Sequence, residues 1–99
     1  MGKHILTKKA LDDLSDNWNN TFENWSENQA DKYYSIILEN CKNLADNTEL
    51  GKTYENIFDD LKGFRAGKHI IFYKIHDLDS ILIIRILQGQ MDLKNRLND

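Results

Sequence analysis

The sequence contains no proline and only one cysteine among its 99 residues. Proline-rich linkers are therefore excluded, and Cys41 has no second cysteine with which to form an internal disulfide, which suits a reducing compartment. No apolar run approaches the ~20 residues needed to cross a membrane. The first ten residues, MGKHILTKKA, lack the apolar core of a signal peptide. These absences predict a soluble, cytoplasmic protein with no membrane partner.

Patterns for metal or phosphate chemistry are also missing. No group of His, Cys or carboxylate residues has metal-ligand spacing, and the sparse Gly63 and Gly67 do not make a phosphate-binding loop. We therefore expect no metal and no cofactor. Cys41 lies on an apolar helical stripe and is interpreted as a buried, small hydrophobic residue. His69, at the start of a predicted strand, is more typical of a structural or surface residue than of a catalytic one.

Charge is distributed unevenly along the chain. The formal net charge is −3, yet residues 1–60 carry six Lys and twelve Asp or Glu, whereas residues 61–99 carry seven Lys or Arg and four Asp. A basic second half on an acidic protein favours a local site for an acidic partner over general nucleic-acid binding. The alternative is ordinary scatter of surface charge.

The segment from Leu61 to Leu93 contains the strongest strand signals. Lys68–His76 (KHIIFYKIH) and Ser80–Leu87 (SILIIRIL) consist mostly of β-branched, aromatic and leucine residues, and Asp77–Asp79 between them is a short hairpin turn. Both faces of each run are largely apolar, which predicts two central strands. With a short strand at Leu61–Arg65, they form an antiparallel meander.

The first half of the chain predicts a short strand and two helices. A strand at His4–Leu6 precedes Thr7, a plausible N-cap. Ser26 and Gln29 form a capping box that starts a second helix almost directly after the first. Asp46–Asn47 is its predicted stop, since Asn tolerates the left-handed conformation. The apolar residues of the first helix follow helical spacing and are Leu11, Leu14, Trp18, Phe22 and Trp25. This stripe is interpreted as core facing the sheet, with a partner groove near Trp25 as the alternative.

Residues 1–99 are therefore predicted to form one α+β domain. An N-terminal strand and an antiparallel helical hairpin pack on one face of a small, mainly antiparallel sheet. Residues Thr48–Asp60 are predicted to be mostly loop. The opposite face of the sheet is left for loops, the C-terminal tail or a partner.

Short motifs along nearly the whole chain resemble the ParE-type toxins of the RelE/ParE superfamily. In order they are LDDL at 11–14 with Trp18, WSENQA at 25–30 with Tyr33, Leu44–Ala45, GFR at 63–65, KHIIFY at 68–73, and RIL at 85–87 followed by Met91–Asp92. The resemblance implies a RelE/ParE-like fold and a plasmid-maintenance or growth-arrest toxin of a type II toxin–antitoxin system. Such a toxin inhibits DNA gyrase by direct binding, is not an enzyme, and forms a heteromeric complex with a ParD-like antitoxin.

The chain departs from the family pattern where the last predicted strand ends. Gln88 replaces the usual His and Gln90 stands where a basic residue is common. Glutamine retains hydrogen bonding but carries no charge, so potency against gyrase is expected to be reduced. The residues expected to contact the antitoxin or the target are Arg65, Arg85, Gln88, Met91, Asp92 and Trp25. Arginine suits bidentate recognition of carboxylates, and no direct, sequence-specific nucleic-acid contact is expected.

Three alternatives remain open at this point. Arg65, Lys68, His69 and Arg85 supply cations and a titratable group for the RelE branch, a ribosome-dependent mRNA endonuclease, but Gln88 is neither acid nor base. A non-toxic, antitoxin-binding remnant is the second alternative. The third concerns Arg85, because a charge within an apolar strand is costly unless paired. It either forms an internal salt bridge, to Asp92 or to an acidic residue of the hairpin, or lies near Arg65 on the face away from the helices.

Overall fold

Two helices and five strands make up the part of the chain that the computed structural model describes. The described residues are 2–24, 26–55, 57–89 and 97, without the side chains of residues 20–24. The elements in chain order are strand β1 (Lys3–Leu6), helix α1 (Lys8–Asn24), helix α2 (Glu27–Asp46), a 3-10 turn (Thr48–Leu50), and strands β2 (Lys52–Thr53), β3 (Lys62–Ala66), β4 (His69–Asp77) and β5 (Ser80–Gln88). Two helices packed on a mixed sheet confirm the predicted α+β class.

The sheet has the strand order β1-β5-β4-β3-β2. Strand β1 lies parallel to β5, and the remaining neighbours are antiparallel, so the predicted meander of β3, β4 and β5 is confirmed. Strands β4 and β5 are interior strands, as their apolar composition predicted. The two-residue strand β2 was not predicted, because it lies in a segment with too few apolar residues to indicate a strand.

Side-chain caps determine where both helices begin. The backbone N–H of Ala10 donates to Thr7 Oγ1 at 3.1 Å, and the Gln29 N–H donates to Ser26 Oγ at 3.1 Å. Both predicted N-caps are therefore confirmed. Helix α2 ends at Asp46, and the predicted stop at Asp46–Asn47 is confirmed. Asn47 follows the helix with φ −141°, which is not left-handed, and its N–H still donates to the Asn43 carbonyl.

The core between the helices and the sheet contains the buried stripe of each helix. Leu14 and Ala10 of α1 are buried against β5, but Leu11 is 48% exposed, so its predicted place in the core is wrong. Leu11 lies at the solvent-facing margin of the apolar stripe that contains Leu14. Cys41 of α2 is fully buried, as predicted, and burial raises the pKa of its thiol to about 12.

The face of the sheet away from the helices carries a second apolar cluster. Leu61, Ile70, Phe72 and Leu87 are buried there, and the Tyr54 ring packs edge-on against Phe72 with centroids 5.2 Å apart. Ile57 and Leu97 also pack on this cluster. Residues of the 54–61 loop and one residue of the C-terminal tail therefore cover part of the face, as the sequence predicted.

A register shift between β4 and β5 redirects the side chains of the last strand. Phe72 pairs with Arg85 but Tyr73 pairs with Ile83, so Ile84 is an extra residue in β5. Such a bulge interrupts the strict alternation of faces along a strand. Arg85 consequently reaches helix α1, although the next residue, Ile86, also belongs to the helix-facing core.

No helix among the described residues combines the length and apolar character needed to span a bilayer.

Candidate functional site

Positively charged and polar side chains meet at the edge of the sheet where β3 and β5 end and β4 begins. We call this region the basic corner and define it as Arg65, Gly67, Lys68, His69, Gln88 and Gly89. His69 pairs with Ala66 on one side and with Gln88 on the other. The backbone N–H of Gly89 donates to the Lys68 carbonyl at 3.0 Å. The antiparallel register thus brings the β3–β4 turn beside the last residues of β5, although some twenty residues separate them in sequence.

The hydroxyl of Tyr33 attaches helix α2 to the basic corner. It accepts a hydrogen bond from the Lys68 N–H at 3.0 Å and lies 2.7 Å from His69 Nδ1 and 3.3 Å from the Ala66 carbonyl oxygen. Gly67 has φ +64° beneath the Tyr33 ring, a left-handed conformation that glycine adopts without strain. The Tyr33 hydroxyl therefore fixes the turn between β3 and β4 to helix α2.

His69 is held as a neutral imidazole. Burial is the main cause that lowers its pKa, and nearby Lys68 lowers it further, whereas the Asp13 carboxylate opposes both. Nδ1 lies 2.7 Å from the Tyr33 hydroxyl oxygen, and the tautomer of the ring decides which of the two atoms donates. The predicted structural role of this histidine agrees with these contacts.

We expect the stability of the protein to fall as the pH drops from 7.5 towards 5.5. The folded pKa of His69 lies below its ordinary value of 6.5, so the unfolded chain takes up a proton first and is favoured as the pH falls. Denaturant unfolding of wild type and His69→Gln across this range measures the effect. The His69→Gln variant is expected to show a weaker dependence of its free energy of unfolding on pH. A matched His76→Gln change, at an exposed position, is expected to leave this dependence unchanged; equal slopes in all three proteins would contradict the assignment.

Beside the basic corner, Arg85 forms a buried ion pair with Asp13 of α1. Arg85 Nε donates to Asp13 Oδ2 at 2.8 Å and Nη2 donates to Oδ1 at 3.0 Å, with side-chain exposures of 8% and 9%. The backbone N–H of Ile86 donates to Asp13 Oδ2 at 2.9 Å. Strand β1 pairs with β5 only as far as Ile83. Beyond that point, the Asp13 carboxylate accepts a hydrogen bond from the backbone of β5.

This pair resolves one of the alternatives for Arg85. An acidic residue of the helical hairpin is its partner, and the expectation that it lies with Arg65 on the face away from the helices is wrong. The bulge explains the error, because simple alternation does not apply on both sides of it. Asp13 was not singled out from sequence. Its position three residues after the buried Ala10 is the signal that places it beside the core-facing stripe.

A shallow groove lies between the two helices. It has a volume of about 360 Å³ and is lined by Ser15, Trp18, Asn19, Asp31 and Tyr34. The indole N–H of Trp18 donates to Asp31 Oδ1 at 2.9 Å. Trp18 is half-buried, so this part of the predicted apolar stripe borders solvent.

The predicted contact residues differ in their exposure to solvent. Arg65 and Gln88 are exposed at the basic corner, whereas Arg85 is 7% exposed. Trp25, Met91 and Asp92 lie outside the described residues, and so does Gln90. Among the described residues, no group of three or more His, Cys, Asp or Glu side chains is arranged to hold a metal ion.

Fold and surface together define a small α+β protein with two distinct surface features, a basic corner and an inter-helical groove. The family model of the ParE toxin of type II toxin–antitoxin systems, parDE, matches residues 5–93. The chain therefore belongs to the ParE toxins. Membership of this family supports a toxin that is not an enzyme.

Individual relatives agree with this assignment. The chain is 25% identical to Toxin ParE1 of Mycobacterium tuberculosis over 96% of its own length and 97% of the relative, and 26% identical to Toxin ParE1 of Caulobacter vibrioides over 98% and 99%. A solved structure of the chromosomal ParDE TA system from P. aeruginosa has a TM-score of 0.75 at 19% identity, over 89% of this chain and 95% of that chain. That likeness concerns the fold.

Proposed function

We propose that this ParE toxin inhibits DNA gyrase by direct binding in the cytoplasm and that a cognate ParD-like antitoxin holds it inactive. The observation that carries the proposal is the family match over residues 5–93, which spans both helices, strands β2 to β5 and the second half of β1. The names of the relatives support a toxin, and the fold shared with the ParDE system of P. aeruginosa supports an antitoxin partner. Gyrase as the target follows from the resemblance of the sequence to ParE-type toxins.

The surface of the protein suits recognition of other proteins. The inter-helical groove exposes part of Trp18 and lies beside Tyr34 and Asp31, and aromatic side chains of this kind are typical anchors of protein interfaces. Arg65 and Gln88 at the basic corner supply exposed hydrogen-bond donors. We propose these two residues as contacts. Arg85 is proposed to act by fixing the end of β5, since its guanidinium is committed to Asp13.

Growth arrest in cells tests the toxin assignment. Induced expression of the chain is expected to stop growth, and co-expression of the antitoxin encoded beside it is expected to restore growth. Extraction of total RNA from arrested cells separates the alternatives. Intact mRNA supports a binding toxin, whereas ribosome-dependent cleavage would establish the nuclease alternative. Normal growth with soluble, folded protein would point to the non-toxic remnant.

We expect Gln88→His to increase toxicity. Gln88 is exposed at the end of β5 opposite His69, and histidine restores the residue usual at this place in ParE-type toxins, with a titratable group in contact range of an acidic partner. The measurement is the inducer concentration that halves growth rate, at matched protein levels. Gln29→His, at an exposed position of α2, is the control. Equal toxicity of wild type and Gln88→His would refute a role for this position.

A further inference from the structure

Arg65 is an exposed arginine whose guanidinium is nevertheless held in place. Its Nε donates to the Gly67 carbonyl at 3.2 Å, and its Nη1 lies against Gly89, where a methyl group added to the glycine would be 3.0 Å from it. No acceptor for Nη1 or Nη2 is found among the residues that the structure describes. A fixed guanidinium with a vacant pair of donors is pre-organised to receive a planar, two-oxygen acceptor.

Within the described residues, the charge around Arg65 is positive. Arg85, the nearby arginine of β5, is neutralised by the two hydrogen bonds to Asp13. His69 is neutral because burial disfavours its charged form. Arg65 and Lys68 therefore leave the basic corner with two positive charges, and no carboxylate of the described residues pairs with either of them.

We propose that the basic corner is a carboxylate-binding site, which takes an Asp or Glu side chain from an acidic segment of a partner protein. Arg65 forms the bidentate contact, and Lys68 supplies long-range attraction. Tyr33 acts as a positioning residue because its hydroxyl receives the Lys68 N–H. The inference rests on the proposed function in that the partner is the antitoxin or the target of the toxin.

A carboxylate suits this corner better than a nucleic-acid backbone. Affinity for a nucleic-acid backbone rises with the number of phosphates that Lys and Arg neutralise, and the corner offers two cations on a protein of formal net charge −3. One arginine fork matches one carboxylate.

A fluorescent hexaglutamate peptide is the probe that tests the site, with hexaglutamine as the uncharged control. Binding is measured by fluorescence anisotropy at low ionic strength with the purified chain. Arg65→Gln is expected to weaken hexaglutamate binding about ten-fold, as expected for loss of a charge-assisted bidentate contact. Lys52→Gln, an exposed lysine of β2, is expected to change it less than about two-fold, since a remote surface charge acts only through a screened field.

Gly89→Ala provides a second variant that leaves every charge in place. Its new methyl group would crowd Arg65 Nη1 at 3.0 Å while the Lys68 carbonyl stays at an ordinary 3.6 Å, so the guanidinium must move. Loss of hexaglutamate affinity in this variant supports a pre-organised site. Wild-type affinity in both Arg65→Gln and Gly89→Ala would overturn the proposal, as would tighter binding of a dodecathymidine oligonucleotide than of hexaglutamate.

This experiment is independent of toxicity. Absence of hexaglutamate binding in a chain that still arrests growth would refute the carboxylate site and leave the toxin assignment intact. Binding that depends on Arg65 in a chain that does not arrest growth would support the site and contradict the proposed function. An unchanged urea midpoint for each variant shows that the fold is retained, as expected for exposed Arg65.

Discussion

Asp13→Ala is expected to lower the free energy of unfolding by about 3–5 kcal/mol. The substitution leaves the Arg85 guanidinium buried without its bidentate partner and also removes the acceptor of the Ile86 N–H. An unpaired charge in a poorly solvated position is far more costly than the loss of an exposed ion pair. Because small domains have total stabilities of roughly 5–15 kcal/mol, this is the largest single effect that we expect from a polar substitution.

Urea unfolding at neutral pH measures this effect, and Asp12→Ala is the matched control. Asp12 is the exposed neighbour of Asp13 on the same helix, and its replacement is expected to change stability by less than about 0.5 kcal/mol. The double variant Asp13→Ala, Arg85→Ala is expected to be less destabilised than the sum of the two single variants, since it leaves no unpaired charge. Strict additivity would contradict the buried ion pair.

Tyr73→Phe is expected to destabilise the protein by about 1–3 kcal/mol. Tyr73 is fully buried, and its hydroxyl donates to the Thr48 carbonyl at 2.8 Å and accepts from the Gly51 N–H at 3.0 Å. Phenylalanine keeps the ring but leaves both backbone groups without this partner. The hydroxyl therefore holds the 3-10 turn that follows α2 against the central strand β4.

Hydrogen exchange and urea unfolding together test this role. The Gly51 amide is expected to exchange faster in Tyr73→Phe, because its acceptor is gone. Tyr54→Phe is the control, since the ring packs on Phe72 and its hydroxyl makes no hydrogen bond to the described residues. An equal loss of stability in the two variants would show that the hydrogen bonds of the Tyr73 hydroxyl contribute no more to stability than the Tyr54 hydroxyl does.

The side chains of Asp13 and Tyr33 support the candidate contact surfaces without belonging to them. The Asp13–Arg85 pair fixes β5 just before Gln88 and joins it to α1, which also carries Trp18 of the inter-helical groove. Tyr33 fixes the β3–β4 turn to α2 in the same way. The basic corner and the groove are consequently held in one fixed relation by polar contacts between the helices and the sheet.

Much of the architecture follows from local sequence patterns. The apolar composition of β4 and β5 predicted two interior strands, and the caps at Thr7 and Ser26 predicted where both helices begin. These features depend on residues close together in the chain. The fold class followed from the order of the elements, and short motifs alone indicated a ParE-type toxin.

The partner of Arg85 and the composition of the basic corner required tertiary information. The extra residue at Ile84 leaves both Arg85 and the next residue, Ile86, on the side of the helices, and no local signal marks a bulge within a largely apolar strand. The hydroxyl of Tyr33 reaches the β3–β4 turn across more than thirty residues of sequence. Leu11 fits the helical stripe but lies at its margin, where a small rotation decides between core and solvent.

Supercoiling of relaxed plasmid by DNA gyrase, in the presence of the purified chain, tests the proposed gyrase inhibition most directly. The same gel reports gyrase-cleaved linear DNA. We expect the chain to inhibit supercoiling or to accumulate cleaved DNA, and we expect Gln88→His to do so at a lower concentration. Unimpaired supercoiling without cleavage, at large molar excess of both wild type and Gln88→His, would contradict gyrase as the target.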